Sequence, residues 1–247
     1  MKIQWERTTL LPRQPAAEST DRATEERPLA PSASFETFVR SVRNSGSSRE
    51  RHESYDLQAL AALDADELAQ AEDLLLERLA ERTEDPRMVP ALLQIGPSPR
   101  GLQAMQDALG AYPKNHTGVA LALALWRLNQ DEAALEKLIE TATKSGREDR
   151  RMAAINALGS IAHPQADATL LYAIQHDDDD LIPTAAESAL IEKHGLASYR
   201  THPLILRLTR ELSDADPTRR EAALTAFSDL ITAIRQGISP ADLGLSR

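Results

Sequence analysis

The chain has 247 residues, 28 Lys and Arg against 38 Asp and Glu, a formal net charge of −10, only 10 Gly, and no Cys. The lack of thiols excludes disulfide scaffolds, thiolate metal sites and cysteine nucleophiles, and the 4% aromatic share argues against sandwiches, barrels and glycine-rich nucleotide folds. Residues 1–54 hold nine basic and eight acidic side chains, so 55–247 hold 19 and 30. An acidic body of that kind repels nucleic acid, speeds encounter with a basic partner, and by itself keeps a protein in solution.

In chain order, the opening Met1-Lys2-Ile3-Gln4-Trp5-Glu6 lacks the apolar run of a signal peptide. No later stretch approaches the roughly 20 apolar residues of a membrane span, so a cytoplasmic protein without a membrane partner is expected. Residues 1–33 place Pro12, Pro15, Pro28 and Pro31 among Glu, Ser, Thr and Arg, a composition too poor in apolar anchors to offset its ordering entropy, and are expected to be disordered. Residues 34–54 follow as a short amphipathic helix and a Ser-rich linker. Phe35, Phe38, Val39 and Val42 fall at i, i+3, i+4, i+7, with Ser34 as the expected cap. That helix either docks on the body or serves as a recognition peptide, and docking is favoured. The linker Asn44-Ser45-Gly46-Ser47-Ser48 is flexible by composition.

From residue 55 to 236 the helix signals are dense, and 237–247 reads as a C-terminal tail. Asp64 with Glu67 has the spacing of a capping box before a run through Arg82, with Leu68, Ala71, Leu74, Leu75 and Leu79 on one face. Asp85-Pro86, Ser98-Pro99 and Asp216-Pro217 each give a cap followed by Pro at the first helical position. Gly110, Gly146 and Gly195 fall where helix C-termini are expected. The fold class is all-α.

Self-comparison exposes a period. Ala91-Leu92, Ala124-Leu125, Ala157-Leu158 and Ala189-Leu190 end successive helices 33, 33 and 32 residues apart. Ala226-Phe227 follows as a fifth. Behind the first four come second helices carrying Leu102, Met105 and Leu109; Leu135, Leu138 and Ile139; Leu170, Leu171 and Ile174; and Leu204, Leu206 and Leu208. A helix pair of this size cannot cover its own apolar stripe, so stacked pairs must bury each other. The small Ala admits close approach, and the adjacent Leu fills the gap. Trp126 is expected as a filler between repeats.

The segments Asp149-Arg150-Arg151-Met152-Ala153-Ala154-Ile155-Asn156-Ala157-Leu158 and Asp180-Leu181-Ile182-Pro183-Thr184-Ala185-Ala186-Glu187-Ser188-Ala189-Leu190 resemble the HEAT family, especially its short bacterial, phycobilisome-lyase-like form. In the second segment Pro183 stands where the family has Arg. The resemblance covers roughly residues 85–235 and implies a right-handed α-solenoid of HEAT-like helix pairs with a disordered N-terminal tail. It also implies that the second helix of each pair lines the concave face. On that ground Glu136, Glu140, Tyr172, Gln175, His176, Arg207 and Arg210 are the candidate partner contacts. Tyr and Arg dominate interface energetics generally.

Asp177-Asp178-Asp179-Asp180 reads first as capping and charge-matching the following helix. Its second reading is an acidic contact for a basic partner, which adds Asp177, Asp178 and Asp179 to the candidates. Arg147, Arg150 and Arg151 with Glu148 and Asp149 read as a solvated helix start. Of the six His, no two lie four apart on one face, and His52-Glu53 alone shows the His-Glu dipeptide of HEAT-type hydroxylases. No metal, cofactor or catalytic residue is expected. The expected function is therefore non-enzymatic: a protein partner, basic in character, held on the solenoid face. Within that class a bacterial toxin-neutralising immunity protein is preferred. The alternatives are an adaptor or chaperone for a secretion or assembly machine that uses the Phe35 and Phe38 helix as a docking peptide, and a bilin lyase-like HEAT enzyme.

Overall fold

The computed structural model describes residues 30–43, 55–82, 84–112, 114–214 and 216–245. The expected tail up to residue 29, the linker with His52-Glu53, and the last two residues lie outside them. The chain divides into a unit of Met1–Pro31 and a unit of Ser32–Arg247, and every helix below belongs to the second.

The helices are α1 (Ala33–Arg43), α2 (Leu57–Ala61), α3 (Ala65–Ala80), α4 (Met88–Ile95), α5 (Pro99–Ala111), α6 (His116–Asn129), α7 (Glu132–Lys144), α8 (Glu148–Gly159), α9 (Pro164–His176), α10 (Leu181–Lys193), α11 (Pro203–Leu212) and α12 (Pro217–Arg235), with a 3-10 turn at Leu196–Tyr199. No strand occurs among the described residues. Helices α4, α6, α8 and α10 stack in one layer. In the other, α3 packs on α5 and α7 on α9, and chain neighbours pack on each other from α5 through α10, as do α1 on α2, α3 on α4 and α11 on α12. This is the alternation of an α-solenoid.

The period of the sequence is the period of the first layer. Leu92, Leu125, Leu158 and Leu190 are all fully buried, each contributing about 1.5–3 kcal/mol by leaving water. Ala91, Ala124 and Ala157 are buried beside them, whereas Ala189 is only half-buried. Gly159 stands opposite it. A methyl group at Gly159 would lie 2.8 Å from the Ala189 Cβ, so α8 and α10 touch almost backbone to backbone there. The fifth segment keeps only half of the motif: Phe227 is fully buried and Ala226 is exposed. In α11 the stripe is Ile205, Leu208 and Leu212, and Leu206, expected inside, is 47% exposed.

Several caps fall where local chemistry put them. Ser98 Oγ accepts from the Gly101 N–H at 3.0 Å, and Asp216 Oδ1 from the Thr218 N–H at 2.9 Å. Asp64 Oδ1 accepts from Asp66 and Glu67 N–H, but Glu67 does not close the box. Its carboxylate accepts instead from the Ser32 N–H at 2.8 Å and so holds the start of α1. Ser32, not Ser34, caps α1, accepting from the Phe35 N–H at 3.1 Å. Asp85 is no cap. It is buried, accepts from the Tyr55 hydroxyl at 2.8 Å and from Arg87 Nε at 2.7 Å, and α4 starts two residues later than Pro86 would place it. Two caps were invisible in the sequence: His163 Nδ1 and His202 Nδ1 accept from the Gln165 and Leu204 N–H, each ahead of a Pro at the first helical position. Left-handed positions after helices include Gly96 and Gly195 (φ 72° and 71°) and the non-glycine Gln130 (φ 55°) after α6, while Gly110 lies inside α5.

Helix α1 packs on α2 and α3. Phe38 and Val42 are fully buried, Phe35 and Val39 half-buried, and the Phe38 ring meets Tyr55 edge-on at 6.4 Å. The expected C-terminal tail also folds back, with the Leu245 side chain fully buried and its N–H donating to the Pro240 carbonyl at 2.9 Å.

Candidate functional site

The second helices present the candidate contacts unequally. On α7, Glu136 is exposed, and Glu140 pairs with Lys114 Nζ at 2.9 Å, whose hydrogen bond holds the carboxyl below its usual range. Both line a groove of about 770 Å³ between α5 and α7, floored by Leu109, Gly110 and Ile139. On α9, Tyr172, Gln175 and His176 are exposed, and the Tyr172 and His176 rings lie 4.5 Å apart. Tyr172 and Gln175 line a second groove, of about 450 Å³, whose other wall is α12: Leu224, Thr225, Ser228 and Asp229. Sequence reasoning missed that wall, because nothing local marks α12 as the neighbour of α9.

Arg207 and Arg210 do not join this surface. They are exposed on α11, which packs on α12 and does not continue the layer of α9. The loop and 3-10 turn after α10 displace α11 from the place a regular repeat would give it, and α12 takes the contact with α9.

The aspartate run divides by role. Asp177 turns inward, its side chain 11% exposed, and receives Arg151 in a two-pronged pair (2.8 and 3.0 Å) that raises the guanidinium pKa. It clamps the start of α8 to the end of α9 within one hairpin. Asp179 Oδ1 caps α10 by accepting from the Leu181 N–H at 2.9 Å, and its charge pushes the nearby Glu148 carboxyl up. Asp178 and Asp180 are exposed. Arg147 grips Asp149 at 2.9 and 2.8 Å, and His116 Nε2 reaches the same carboxylate at 3.2 Å. Together they hold the Asp149 carboxyl far below its ordinary value. The mixed-charge helix start therefore stitches hairpin to hairpin along one edge.

A further polar cluster had no sequence signal. Asp167, 3% exposed in the first turn of α9, faces Lys193 Nζ at 2.6 Å and His194 Nε2 at 3.2 Å from the end of α10, and Arg235 Nε at 3.6 Å from the end of α12. Burial pushes its carboxyl up, but the bonds from His194 and Lys193 outweigh this and hold it below its usual value. Trp126 is half-buried against the core and meets the His163 ring edge-on at 5.4 Å. No group of three or more His, Asp or Glu placed to hold a metal occurs among the described residues.

A family model for HEAT repeats matches residues 113–191, the stretch from the start of α6 to the end of α10. These helices are similar to HEAT repeats. The match is shorter than the expected 85–235 and holds three of the periodic Ala seats, those at 124, 157 and 189. No curated protein and no solved structure matches the chain. HEAT repeats are in general an interaction scaffold, and the two grooves flank α7 and α9, the second helices within the matched stretch. No helix among the described residues is long and apolar enough to cross a membrane.

Proposed function

We propose that the chain is a non-enzymatic binding protein which holds a basic partner protein on the layer of α7 and α9, and that it acts in a bacterial cytoplasm as an immunity protein, neutralising a toxin domain. The observation that carries the reading is that layer itself. Exposed Glu136, Tyr172, Gln175 and His176 stand beside two grooves on a body with 30 acidic and 19 basic residues. A basic domain is drawn to such a field and anchored by aromatic and amide groups. The adaptor reading has less support, because of the two rings it would offer to a machine, Phe38 is fully buried against the body and Phe35 is half-buried.

The test is co-expression with each gene that flanks this one in its host. One neighbour should arrest growth alone and fail to do so when this chain is present, and Glu136→Lys combined with Tyr172→Ala should remove the protection. If no neighbour is toxic, or protection is indifferent to those substitutions, the reading fails.

A further inference from the structure

The groove between α9 and α12 allows the partner chemistry to be named, resting on the reading of α9 as part of the contact layer. It is an open surface groove of about 450 Å³. Leu171 and Leu224, both half-buried, give it an apolar floor. Tyr172 stands at its wall, 52% exposed. At the rim lie Gln175, Ser228 and Asp229. Asp229 is exposed and has neither a hydrogen-bond nor an ion-pair partner among the described residues.

A half-exposed aromatic ring with His176 as its ring neighbour, an apolar floor and an unpaired carboxylate within one small groove match the three parts of an arginine side chain. The methylene stem covers Leu171 and Leu224, the planar guanidinium stacks on Tyr172, and its fork donates to Asp229 with the Gln175 amide oxygen and the Ser228 hydroxyl as further acceptors. Lysine carries the same charge but neither stacks as a plane nor donates as a fork. We propose that the α9/α12 groove is the docking site for an arginine-bearing segment of the basic partner protein.

The experiment is an NMR titration of the isotopically labelled full chain with the blocked tripeptide acetyl-Leu-Arg-Leu-amide, and with its Lys counterpart. Shifts should concentrate on the amides of 168–176 and 222–230, with binding in the millimolar range. The Lys peptide should bind at least about threefold more weakly, and Asp229→Asn and Tyr172→Ala should each weaken the Arg peptide by about the same factor. Both replaced side chains are exposed, so the rest of the spectrum should overlay that of the parent. Equal affinity for the two peptides, shifts unchanged in either variant, or no shift at about 10 mM peptide would overturn the assignment. If the flanking-gene partner is neutralised through Glu136 while the groove ignores arginine, this inference falls and the broader reading stands.

Discussion

Replacing Asp167 with Ala removes the buried carboxylate that Lys193, His194 and Arg235 face. Lys193 and His194 have side chains only 8% exposed, and the Lys193 ammonium has no other partner among the described residues. Arg235, 40% exposed, can swing into water, but Lys193 cannot do so without opening the junction of α9 and α10. Breaking a buried pair from one side costs about 3–5 kcal/mol, because the survivor stays uncompensated. Relaxation of Arg235 leaves about 3–4 kcal/mol, a large part of the ~5–15 kcal/mol that holds a domain together. Urea unfolding followed by circular dichroism should show the midpoint falling by roughly 1–2 M, at an m of about 2 kcal/mol/M. In the Asp167→Ala/Lys193→Met double variant, at least half of the loss should return, since neither charge remains. A cost under about 1 kcal/mol, or a double variant as weak as the two single losses added, would refute the account. The pH sign follows from the depressed carboxyl pKa: the stabilisation is complete above about pH 4 and is lost as pH falls through the lower folded value.

Three further outcomes are expected. Gly159→Ala gains helix propensity of up to ~1 kcal/mol but pushes a methyl against Ala189, so a net loss of about 1–2 kcal/mol should appear as a lower Tm, and Ala189→Gly in the same chain should restore it; a higher Tm for Gly159→Ala alone would contradict the packing. Glu187 is half-buried, and burial pushes its carboxyl up to about 7, with Arg200 opposing. Its contribution is therefore full below about pH 4.5 and lost as pH rises through 7, so Glu187→Gln should be the more stable protein at pH 8 by ~1–2 kcal/mol after discounting for solvent, with the gap closing by pH 5; a gap independent of pH would dismiss this. Phe38→Ala should release α1 alone, seen as lost amide protection over residues 33–43 while the later helices keep theirs; unchanged protection would mean that α1 is held by something other than that ring.

The regular part of this fold was legible because it is local and periodic. A Leu every 32 or 33 residues reports one seat in one layer, and the Ser98-Pro99 and Asp216-Pro217 dipeptides report their own helix starts. Contacts between distant residues were not legible. Asp85 reads as a cap from its neighbour Pro86, but the choice was made by Tyr55, thirty residues earlier, whose hydroxyl it accepts. Asp177 reads as one of four equivalent carboxylates, and only the reach of Arg151 from α8 turns it inward. Of the contact surface, Tyr172 and Gln175 were named because they share a helical face. Asp229 was missed because its place beside them depends on how the chain turns after α10, which no residue of α12 encodes.

That turn also explains why the cluster and the second groove occur together. Gln106 in α5 meets Asp131 at the start of α7, and the Tyr112 carbonyl just after α5 meets Lys137 further along α7, so successive second helices run in the same sense, as a repeat requires of α7 and α9. Helix α12 does the reverse: its final residue, Arg235, meets Asp167 at the beginning of α9, and its middle, Leu224 to Asp229, lies along Leu171 to Gln175. A helix arriving in the opposite sense cannot repeat the α7 and α9 packing, so the two surfaces part and leave space between them. Phe227, Leu230 and Ile231 of α12 are buried in the core, and charge adds to that packing, with the carboxylate of α9 facing the guanidinium of α12. Loss of Asp167 should therefore reach the groove as well as the fold. With α12 loosened, Tyr172 and Asp229 no longer face one guanidinium, and affinity for the Arg tripeptide should drop even at temperatures where the Asp167→Ala protein remains folded. Intact peptide binding in that folded variant would separate the two features and show that the groove is shaped by the α11 and α12 packing alone.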